Sequence, residues 1–249
     1  MLTEKMREKY ARHLVLKEIG ENGQEKLLNS KVLVIGTGGL GSPASEYLTA
    51  AGIGTLGLVD FDKVDLSNLQ RQIVHMTKNI GTLKVLSAKE TLSNLNPDMN
   101  IITYNERLDF NNINDVINDV DYDFILDCTD NFESKFLIND ACVNLKKPFS
   151  YGGVIRFNGQ TMTYVPNKGP CYRCIFLNPP SKGAVPTSKE VGIVGTTPGV
   201  IGTIQATEAI KYIIGIGKLL TGYLLIYDGL KMEFRKIKTS IRKNCKACS

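Results

Sequence analysis

The first half of the chain alternates short apolar runs with stretches of helical spacing. The apolar runs cover 31–36, 54–60, 100–104 and 123–128, and β-branched residues are common in them. Their apolar residues are continuous rather than alternating, which is typical of strands buried on both faces of a parallel sheet. Helical spacing is found near 42–52, 82–95, 112–119 and 132–145. This order predicts a Rossmann-like, doubly wound α/β fold.

The pattern changes after Pro148. Two stretches of strand character flank Asn158-Gly159, and Asn-Gly is a strong signal for a tight hairpin turn. A long crossing loop is predicted over 178–200, because four of the nine prolines and four glycines lie there. A helix from about Thr203 to Ile214 and strands near 223–228 and 231–237 follow. We therefore expect antiparallel strands to continue the mostly parallel sheet.

Length and composition favour a single domain. A chain of 249 residues can bury a sizeable core. We divide it into an N-terminal helical arm (1–30), a half with nucleotide-binding character (31–150) and an antiparallel half (151–249). No apolar stretch approaches the ~20 residues that span a bilayer, and the N-terminus lacks the apolar core of a secretory signal. We expect a cytoplasmic protein without membrane contacts.

The net charge is modest. It amounts to +5 and is spread along the chain, which is too weak and too dispersed to indicate nucleic-acid binding. A mild positive charge would suit an acidic protein partner. Charge therefore bears on association and leaves the chemistry open.

A glycine-rich segment joins the first predicted strand to the next helix. Gly36, Gly38 and Gly41 satisfy G-x-G-x-x-G, which lets phosphate approach backbone N–H groups at the positive end of that helix. Asp60 closes the second strand, where a carboxylate can accept hydrogen bonds from ribose hydroxyls. The pattern predicts a nucleotide site and does not distinguish NAD from ATP.

Polar groups crowd the segment "DFDKVDLSNLQRQ" over 60–72. Arg71 has a planar guanidinium suited to phosphate oxygens, Asn68 offers an amide, and Lys84 follows farther along the chain. Such cations stabilise a pyrophosphate leaving group as negative charge builds on it, whereas hydride transfer needs no such cluster. The alternative is that Arg71 and Lys84 lie on a solvated helix face.

The fourth strand ends in "DCTDN" at 127–131. A carboxylate at the end of a strand, from Asp127 or Asp130, can hold Mg²⁺ against phosphate oxygens. Asp130 or Asn131 would also serve as the N-cap of the following helix. The spacing alone leaves both interpretations open.

Four of the six cysteines form two C-x-x-C pairs, Cys171 with Cys174 and Cys245 with Cys248. Together they supply the four thiolates of a closed, structural zinc site, although a redox dithiol is the alternative for either pair alone. Cys128 and Cys142 stand in apolar context and are expected in the core. The two histidines, His13 and His75, are too isolated to propose as a base.

These segments together resemble the MoeB/ThiF/HesA family of ubiquitin-activating-type adenylyltransferases. The resemblance runs almost from end to end, through "YARHLVLKEIG", "GTGGLGSPASEYLTAAGIG", "DFDKVDLSNLQRQ", "CTDNFESK", "RFNGQ", "PCYRCIF" and "GVIGTIQATEAIKYI". Members bind MgATP and adenylate the C-terminal glycine carboxylate of a small ubiquitin-fold sulfur carrier, with release of pyrophosphate. The resemblance therefore implies ATP as substrate, Mg²⁺, structural Zn²⁺, and a MoaD- or ThiS-like carrier bound through its Gly-Gly tail.

The resemblance also implies roles for individual residues. Asn68, Arg71 and Lys84 would stabilise the triphosphate and the transition state, and Asp130 would position Mg²⁺. Arg12 matches an arginine that reaches into the neighbouring subunit's site, which implies a homodimer. The paired cysteines match the zinc ligands. Nucleotide contacts are implied for Gly36, Gly38, Gly39, Gly41, Asp60, Asp62, Ser67, Asn68, Arg71, Gln72, Lys84, Asp130 and Asn131.

One departure from the family pattern concerns Ser188. Relatives often carry a cysteine there, and in ThiF-type members that thiol can bond covalently to the carrier. Serine cannot form the same thioester or persulfide, which favours an enzyme that stops at the acyl-adenylate, as in the MoeB branch. We expect the molybdopterin-synthase carrier as substrate, with the thiamine carrier as the alternative. A zinc-containing NAD-dependent dehydrogenase and a non-catalytic carrier-binding scaffold are the more distant alternatives.

Overall fold

The computed structural model describes residues 1–181 and 183–248, and gives the backbone alone for 188 and 189. Its strands are β1 (Lys31–Ile35), β2 (Thr55–Val59), β3 (Asn100–Tyr104), β4 (Phe124–Asp127), β5 (Phe149–Ile155), β6 (Asn158–Tyr164), β7 (Tyr223–Asp228) and β8 (Glu233–Lys238). They form one sheet in the order β3-β2-β1-β4-β5-β6-β7-β8. Neighbours are parallel from β3 to β5 and antiparallel from β5 to β8. The predicted fold class is confirmed.

Helices pack on both faces of this sheet. They are α1 (Glu4–Lys9), α2 (Ala11–Leu14), α3 (Gly20–Asn29), α4 (Gly41–Ala51), α5 (Lys84–Leu95), α6 (Ile113–Asn118), α7 (Phe132–Asn144), α8 (Tyr172–Ile175), α9 (Ser188–Val191) and α10 (Thr196–Ile214). One hydrophobic core joins the sheet to α4, α5 and α10, and the other joins it to α6, α7 and α8. Among the described residues, no helix combines the length and apolarity needed to cross a membrane.

The central strand β1 shows why its apolar run is continuous. Val32 and Val34 belong to one core, while Leu33 and Ile35 belong to the other. All four side chains are buried. Because successive side chains of a strand point to opposite faces, a strand covered on both sides needs an apolar residue at every position.

The predicted hairpin exists, but its turn precedes Asn158-Gly159. Ile155 of β5 pairs directly with Asn158 of β6, so Arg156 and Phe157 form the turn, and Arg156 adopts a φ of 52°. Gly159 lies inside β6, where an added Cβ would stand 2.4 Å from Cγ1 of Ile201 on α10. The glycine therefore permits close packing of a helix on the sheet rather than a turn.

The predicted crossing loop is shorter than expected, because α10 begins at Thr196 instead of near Thr203. Pro198 lies in the first turn of this helix, where proline costs no intrahelical hydrogen bond. The Thr-Pro-Gly sequence therefore starts a helix here. Before it, Gly192 and Val194 form backbone hydrogen bonds of 3.1 and 3.2 Å with Arg156 at the hairpin turn. The Ser188 side chain is outside the described residues, so its role stays a prediction.

Candidate active site

A cavity of about 560 Å³ opens at the carboxyl ends of β1, β2 and β4. The chain reverses its strand order between β1 and β4, which is where doubly wound sheets bind ligands. Most of the predicted nucleotide contacts line this cavity: Gly36, Gly38, Gly39, Asp60, Asp62, Arg71, Gln72, Lys84, Asp130 and Asn131. Residues that are distant in the sequence therefore meet at one edge of the sheet.

At two positions of the glycine-rich segment, close packing leaves no room for a side chain. Gly36 has a φ of 94°, and an added Cβ would stand 2.8 Å from the Cys128 carbonyl oxygen at the end of β4. Gly41 does not line the cavity, and its added Cβ would stand 1.9 Å from the Gly36 carbonyl oxygen. Gly36 therefore lets the segment pass close to the end of β4, and Gly41 lets α4 start directly against the segment.

The remaining predicted residues outside the cavity lining are Ser67, Asn68 and Arg12. The backbone N–H of Asp65 donates to Oδ1 of Asn68 (3.1 Å), and the Ser67 hydroxyl donates to Oδ1 of Asp65 (2.6 Å). Ser67 and Asn68 thus shape a short helical turn just before Arg71. Arg12 lies on α2 with an exposed side chain.

The Asp60 carboxylate supports the glycine-rich segment. The backbone N–H and the hydroxyl of Thr37 both donate to Oδ2 of Asp60, at 2.9 and 3.1 Å. The N–H of Asp62 donates to Oδ1 of Asp60 at 3.0 Å. Asp60 is therefore held at the cavity wall, with lone pairs remaining on its two oxygens for further donors.

Two cations reach the cavity from different segments. Lys84 is the first residue of α5, its side chain is 8% exposed, and its Nζ lies 3.0 Å from Oδ2 of Asp62. Nη1 of Arg71 donates to the Ser67 carbonyl at 3.0 Å. The structure rules out a solvated helix face for Lys84, because this ammonium is buried beside a carboxylate.

The structure shows which residue after β4 caps helix α7. Oδ1 of Asn131 accepts the backbone N–H of Ser134 at 2.8 Å, so Asn131 is the N-cap of α7. The Asp130 side chain is exposed, lines the cavity, and forms no hydrogen bond or ion pair with any other described residue. Asp127 is fully buried, and its Oδ1 accepts the N–H and hydroxyl of Thr129. Asp130 is therefore the carboxylate available to a cation.

Lys135 is a cavity residue that the sequence analysis missed. Its Nζ donates to the carbonyls of Thr129 (2.7 Å) and Gly152 (2.6 Å), and lies 3.5 Å from Oδ1 of Asp127. The side chain is 6% exposed. Lys135 thus ties the segment that carries Asp130 to β5. The spacing in "NFESK" places this lysine one turn into α7 and gives no signal that it points inward.

The other end of the cavity is formed by β5, β6 and the crossing segment, which is the part of the predicted crossing loop that precedes α10. Gly153, Asn158 and Gln160 line it together with Val185, Pro186 and Thr187. An added Cβ on Gly153 would stand 2.3 Å from the Tyr151 hydroxyl, so this wall has no room for a larger residue. The cavity thus extends from the glycine-rich segment toward the antiparallel half.

The four paired cysteines converge. Their sulfur atoms all lie within 4.8 Å of one another, and neighbouring Sγ atoms are 3.6 Å apart for Cys171 and Cys245 and 3.4 Å apart for Cys174 and Cys248. Tetrahedral zinc with Zn–S bonds of about 2.3 Å separates its sulfurs by roughly 3.8 Å. The donor set and its spacing fit one zinc ion.

Cys128 and Cys142 are fully or almost fully buried. Burial in an apolar environment raises the pKa of both thiols, because it penalises the thiolate. Cys128 lines the cavity, and its thiol lies 3.7 Å from Oε1 of Gln205. These two cysteines are core residues rather than nucleophiles, as their sequence context indicates.

Solved structures share this fold. The chain superposes on E. coli MccB with MccA-N7isoASN with a TM-score of 0.84 and 22% identity, covering 97% of this chain and 75% of MccB. It superposes on PaaA with a TM-score of 0.81 and 23% identity, covering 97% of this chain and 76% of PaaA. At this level of identity, the likeness establishes the fold alone.

Curated relatives are more similar in sequence. A sulfur carrier protein adenylyltransferase from Thermus thermophilus is 42% identical over 97% of this chain and 90% of its own. A SAMP-activating enzyme E1 from Haloferax volcanii is also 42% identical, over 97% and 88%. The adenylyltransferase and sulfurtransferase MOCS3 from Drosophila sechellia is 47% identical over 97% of this chain but 53% of its own, so this chain spans about half of that relative.

The comparison with family models agrees with the motifs. The ThiF model matches residues 10–248, which include the glycine-rich segment, the cations, the "DCTDN" segment and all four clustered cysteines. The resemblance inferred from the sequence is confirmed. With this match and relatives at 42–47% identity over most of its length, the chain belongs to the ThiF family.

Proposed function

We propose that this protein is an ATP-dependent adenylyltransferase that activates the C-terminal glycine carboxylate of a ubiquitin-like sulfur carrier. The observation that carries the proposal is the convergence of Arg71, Lys84 and Asp130 on one cavity beside the glycine-rich segment. The relatives named as adenylyltransferases support the same activity.

The nucleotide would lie across the carboxyl edge of the sheet. Backbone N–H groups of Gly38 and Gly39 and the start of α4 would bind phosphate, because the helix N-terminus carries a partial positive charge. Asp60 would accept hydrogen bonds from the ribose hydroxyls. Asp130 would hold Mg²⁺ through its carboxylate, because this ion prefers oxygen ligands. The metal would neutralise phosphate charge.

Catalysis would rest on positioning and charge neutralisation. The carrier carboxylate attacks the α-phosphorus in line, the bond to the bridging oxygen breaks, and pyrophosphate leaves with the bond electrons. Arg71 and Lys84 would stabilise the charge that develops on the leaving group. Ser67 and Asn68 would act indirectly, since they shape the turn that positions Arg71. No covalent enzyme intermediate is required.

The carrier's Gly-Gly tail would enter from the end of the cavity lined by Gly153, Asn158 and Thr187. The molybdopterin-synthase carrier is the first candidate, since a relative carries the MOCS3 name, and the thiamine carrier is the alternative. We further propose a homodimer in which Arg12 acts in the neighbouring subunit's site, because Arg12 is exposed and lies outside its own cavity. The four clustered cysteines would hold one structural zinc ion with no open coordination position.

Carrier-dependent exchange of labelled pyrophosphate into ATP tests the proposed activity. Exchange with a molybdopterin- or thiamine-type carrier, and none with a carrier whose terminal glycine is removed, is the expected result. The absence of exchange with every such carrier would overturn the proposal.

A thermal-shift measurement distinguishes the proposed adenylyltransferase from an NAD-dependent dehydrogenase. Stabilisation by MgATP is expected, whereas stabilisation by NADH and none by MgATP would favour a dehydrogenase. A carrier-binding scaffold would bind the carrier equally well with and without ATP, and would release no pyrophosphate.

A further inference from the structure

The His75 ring lies between the glycine-rich segment and α5. Its Nε2 is 3.0 Å from the Thr37 carbonyl oxygen, and its Nδ1 is 2.9 Å from Oγ of Ser87. The residue is 5% exposed. Its hydrogen-bond partners are thus Thr37, which lies within the glycine-rich segment, and Ser87, which lies one turn after Lys84 on α5.

These partners fix the proton on the ring. A carbonyl oxygen can only accept, so Nε2 carries the hydrogen and donates it to Thr37. When the ring is neutral, Nδ1 is unprotonated and accepts the Ser87 hydroxyl. Each ring nitrogen thus has a hydrogen-bond partner.

Thr37 is held on both sides. Its N–H and hydroxyl donate to Asp60, and its carbonyl accepts from His75. The Thr37 side chain is fully buried, so water does not replace these contacts. A chain of hydrogen bonds therefore runs from Asp60 through Thr37 and His75 to Ser87 on α5, and α5 begins with Lys84.

We propose that His75 is a positioning residue that fixes the glycine-rich segment relative to Lys84. This inference rests on the proposed function, in which the segment binds phosphate and Lys84 neutralises it. The distance between these two groups sets how well both can engage one triphosphate, and a misplacement of about 1 Å is enough to impair a reaction of this kind. His75 itself does not line the cavity and acts through Thr37.

The surroundings favour the neutral ring. The pKa of His75 is lowered to about 4, mainly by burial and also by the nearby charge of Lys84, while the Thr37 carbonyl and Asp60 oppose this change. A neutral side chain joins the two segments without adding a positive charge next to Lys84.

Three variants and one control test the proposal. His75→Leu removes both hydrogen bonds, Ser87→Ala removes the one to α5, and His75→Gln keeps an amide donor that can reach the Thr37 carbonyl. Thr91→Val is the matched control, because the Thr91 hydroxyl on α5 donates to the carbonyl of Val74 at 2.7 Å and does not contact the glycine-rich segment. The control removes a hydrogen bond between α5 and the residue preceding His75.

Amide hydrogen exchange of peptides covering 36–41 is the first measurement, made without nucleotide. We expect exchange to accelerate about tenfold in His75→Leu, less in Ser87→Ala, and less than about twofold in His75→Gln and Thr91→Val. Unchanged exchange in a folded His75→Leu variant would overturn the proposal. If His75→Leu does not fold, Ser87→Ala decides: exchange faster than in Thr91→Val supports the proposal, and equal exchange overturns it.

Steady-state kinetics provide the second measurement. We expect the KM for MgATP to rise about tenfold in His75→Leu, with rescue by His75→Gln and little change in the KM for the carrier. An equal rise for both substrates would indicate a general structural role and overturn the proposal. If the wild-type protein shows no exchange of pyrophosphate at all, the proposed function fails. The amide-exchange experiment still tests whether His75 holds the glycine-rich segment in place.

Discussion

At the scale of single residues, the candidate site separates chemical groups from supporting groups. Arg71, Lys84 and Asp130 line the cavity and are proposed to act on the substrate, whereas His75 and the cavity residue Lys135 hold backbone segments in place through their carbonyls. The residues proposed to act on the substrate follow strand ends or a polar motif, so the sequence indicates them as candidates. The supporting groups bind carbonyls of other segments, and no local pattern indicates such partners.

Arg71 provides the sharpest test at this scale. Arg71→Ala should lower carrier-dependent pyrophosphate exchange by at least about 100-fold, because a preorganised donor to the developing charge is lost. Circular dichroism and thermal unfolding should match the wild type. Arg71→Lys keeps the charge but loses the planar fork, and should recover part of the activity. Near-normal exchange in Arg71→Ala would remove this residue from the mechanism.

Asp130 tests the metal assignment. Asp130→Asn keeps the size of the side chain and removes its charge, so the Mg²⁺ concentration that gives half-maximal exchange should rise about tenfold or more. Glu133→Gln, which removes an exposed carboxylate from the first turn of α7 outside the cavity lining, is the control and should leave the Mg²⁺ dependence near that of the wild type. An unchanged Mg²⁺ dependence in Asp130→Asn would refute the assignment.

The buried His75 predicts a pH dependence of stability. Its pKa is about 4 in the folded protein and about 6.5 when unfolded, so the unfolded chain binds a proton first as the pH falls. The stabilisation is complete above pH ~6.5 and is lost down to pH ~4, by up to about 3 kcal/mol. Urea unfolding at several pH values in this window should show a steeper loss for the wild type than for His75→Gln. Parallel curves would contradict the prediction.

At the scale of elements, the apolar periodicity predicts each strand and most helices, because burial on two faces leaves a direct pattern in the sequence. It misplaces the β5–β6 turn and the start of α10. In both places a glycine or proline serves tertiary packing: Gly159 admits Ile201, and Pro198 packs 3.2 Å from an added Cβ on Gly39. Local turn propensity cannot reveal a contact made by a distant helix.

The surroundings of two glycines, Gly159 on β6 and Gly199 on α10, predict different effects when each is replaced by alanine. Gly159→Ala should destabilise the protein by about 1–3 kcal/mol, since the new Cβ meets Ile201 at 2.4 Å. Gly199→Ala should be neutral or stabilise it by up to about 1 kcal/mol, because this α10 position has open space around it. Chemical denaturation of both variants tests the pair, and equal effects would contradict this account.

At the scale of the whole molecule, the cysteine cluster joins the segment after β6 to the segment after β8. The sequence predicts the four ligands from their paired spacing, and the structure shows that the distant pairs meet. What the sequence does not show is where the joined segment packs. The cluster adjoins the core that contains Tyr172 and Tyr151, and Tyr151 also lines the cavity.

Metal removal should therefore affect stability. One zinc ion per chain is expected by elemental analysis, and Cys245→Ser with Cys248→Ser should abolish it. The loop-closure relation used for disulfides suggests a loss of about 4 kcal/mol for a loop of this length. Cys142→Ser is a control for cysteine loss, since it should change stability without changing zinc content. A metal-free wild-type protein of full stability would rule out the structural zinc.

The cysteine cluster also determines how the molecule responds to a cut in its chain. Residues 183–187 of the crossing segment are exposed, and they separate β1–β6 from β7 and β8 in sequence but not in the sheet. A break there leaves two polypeptides that share one continuous sheet, with one pair of cysteines on each. Two separately made fragments that meet at the crossing segment are thus expected to assemble into one molecule, held together by the shared sheet and by a metal ion bound to cysteines of both fragments.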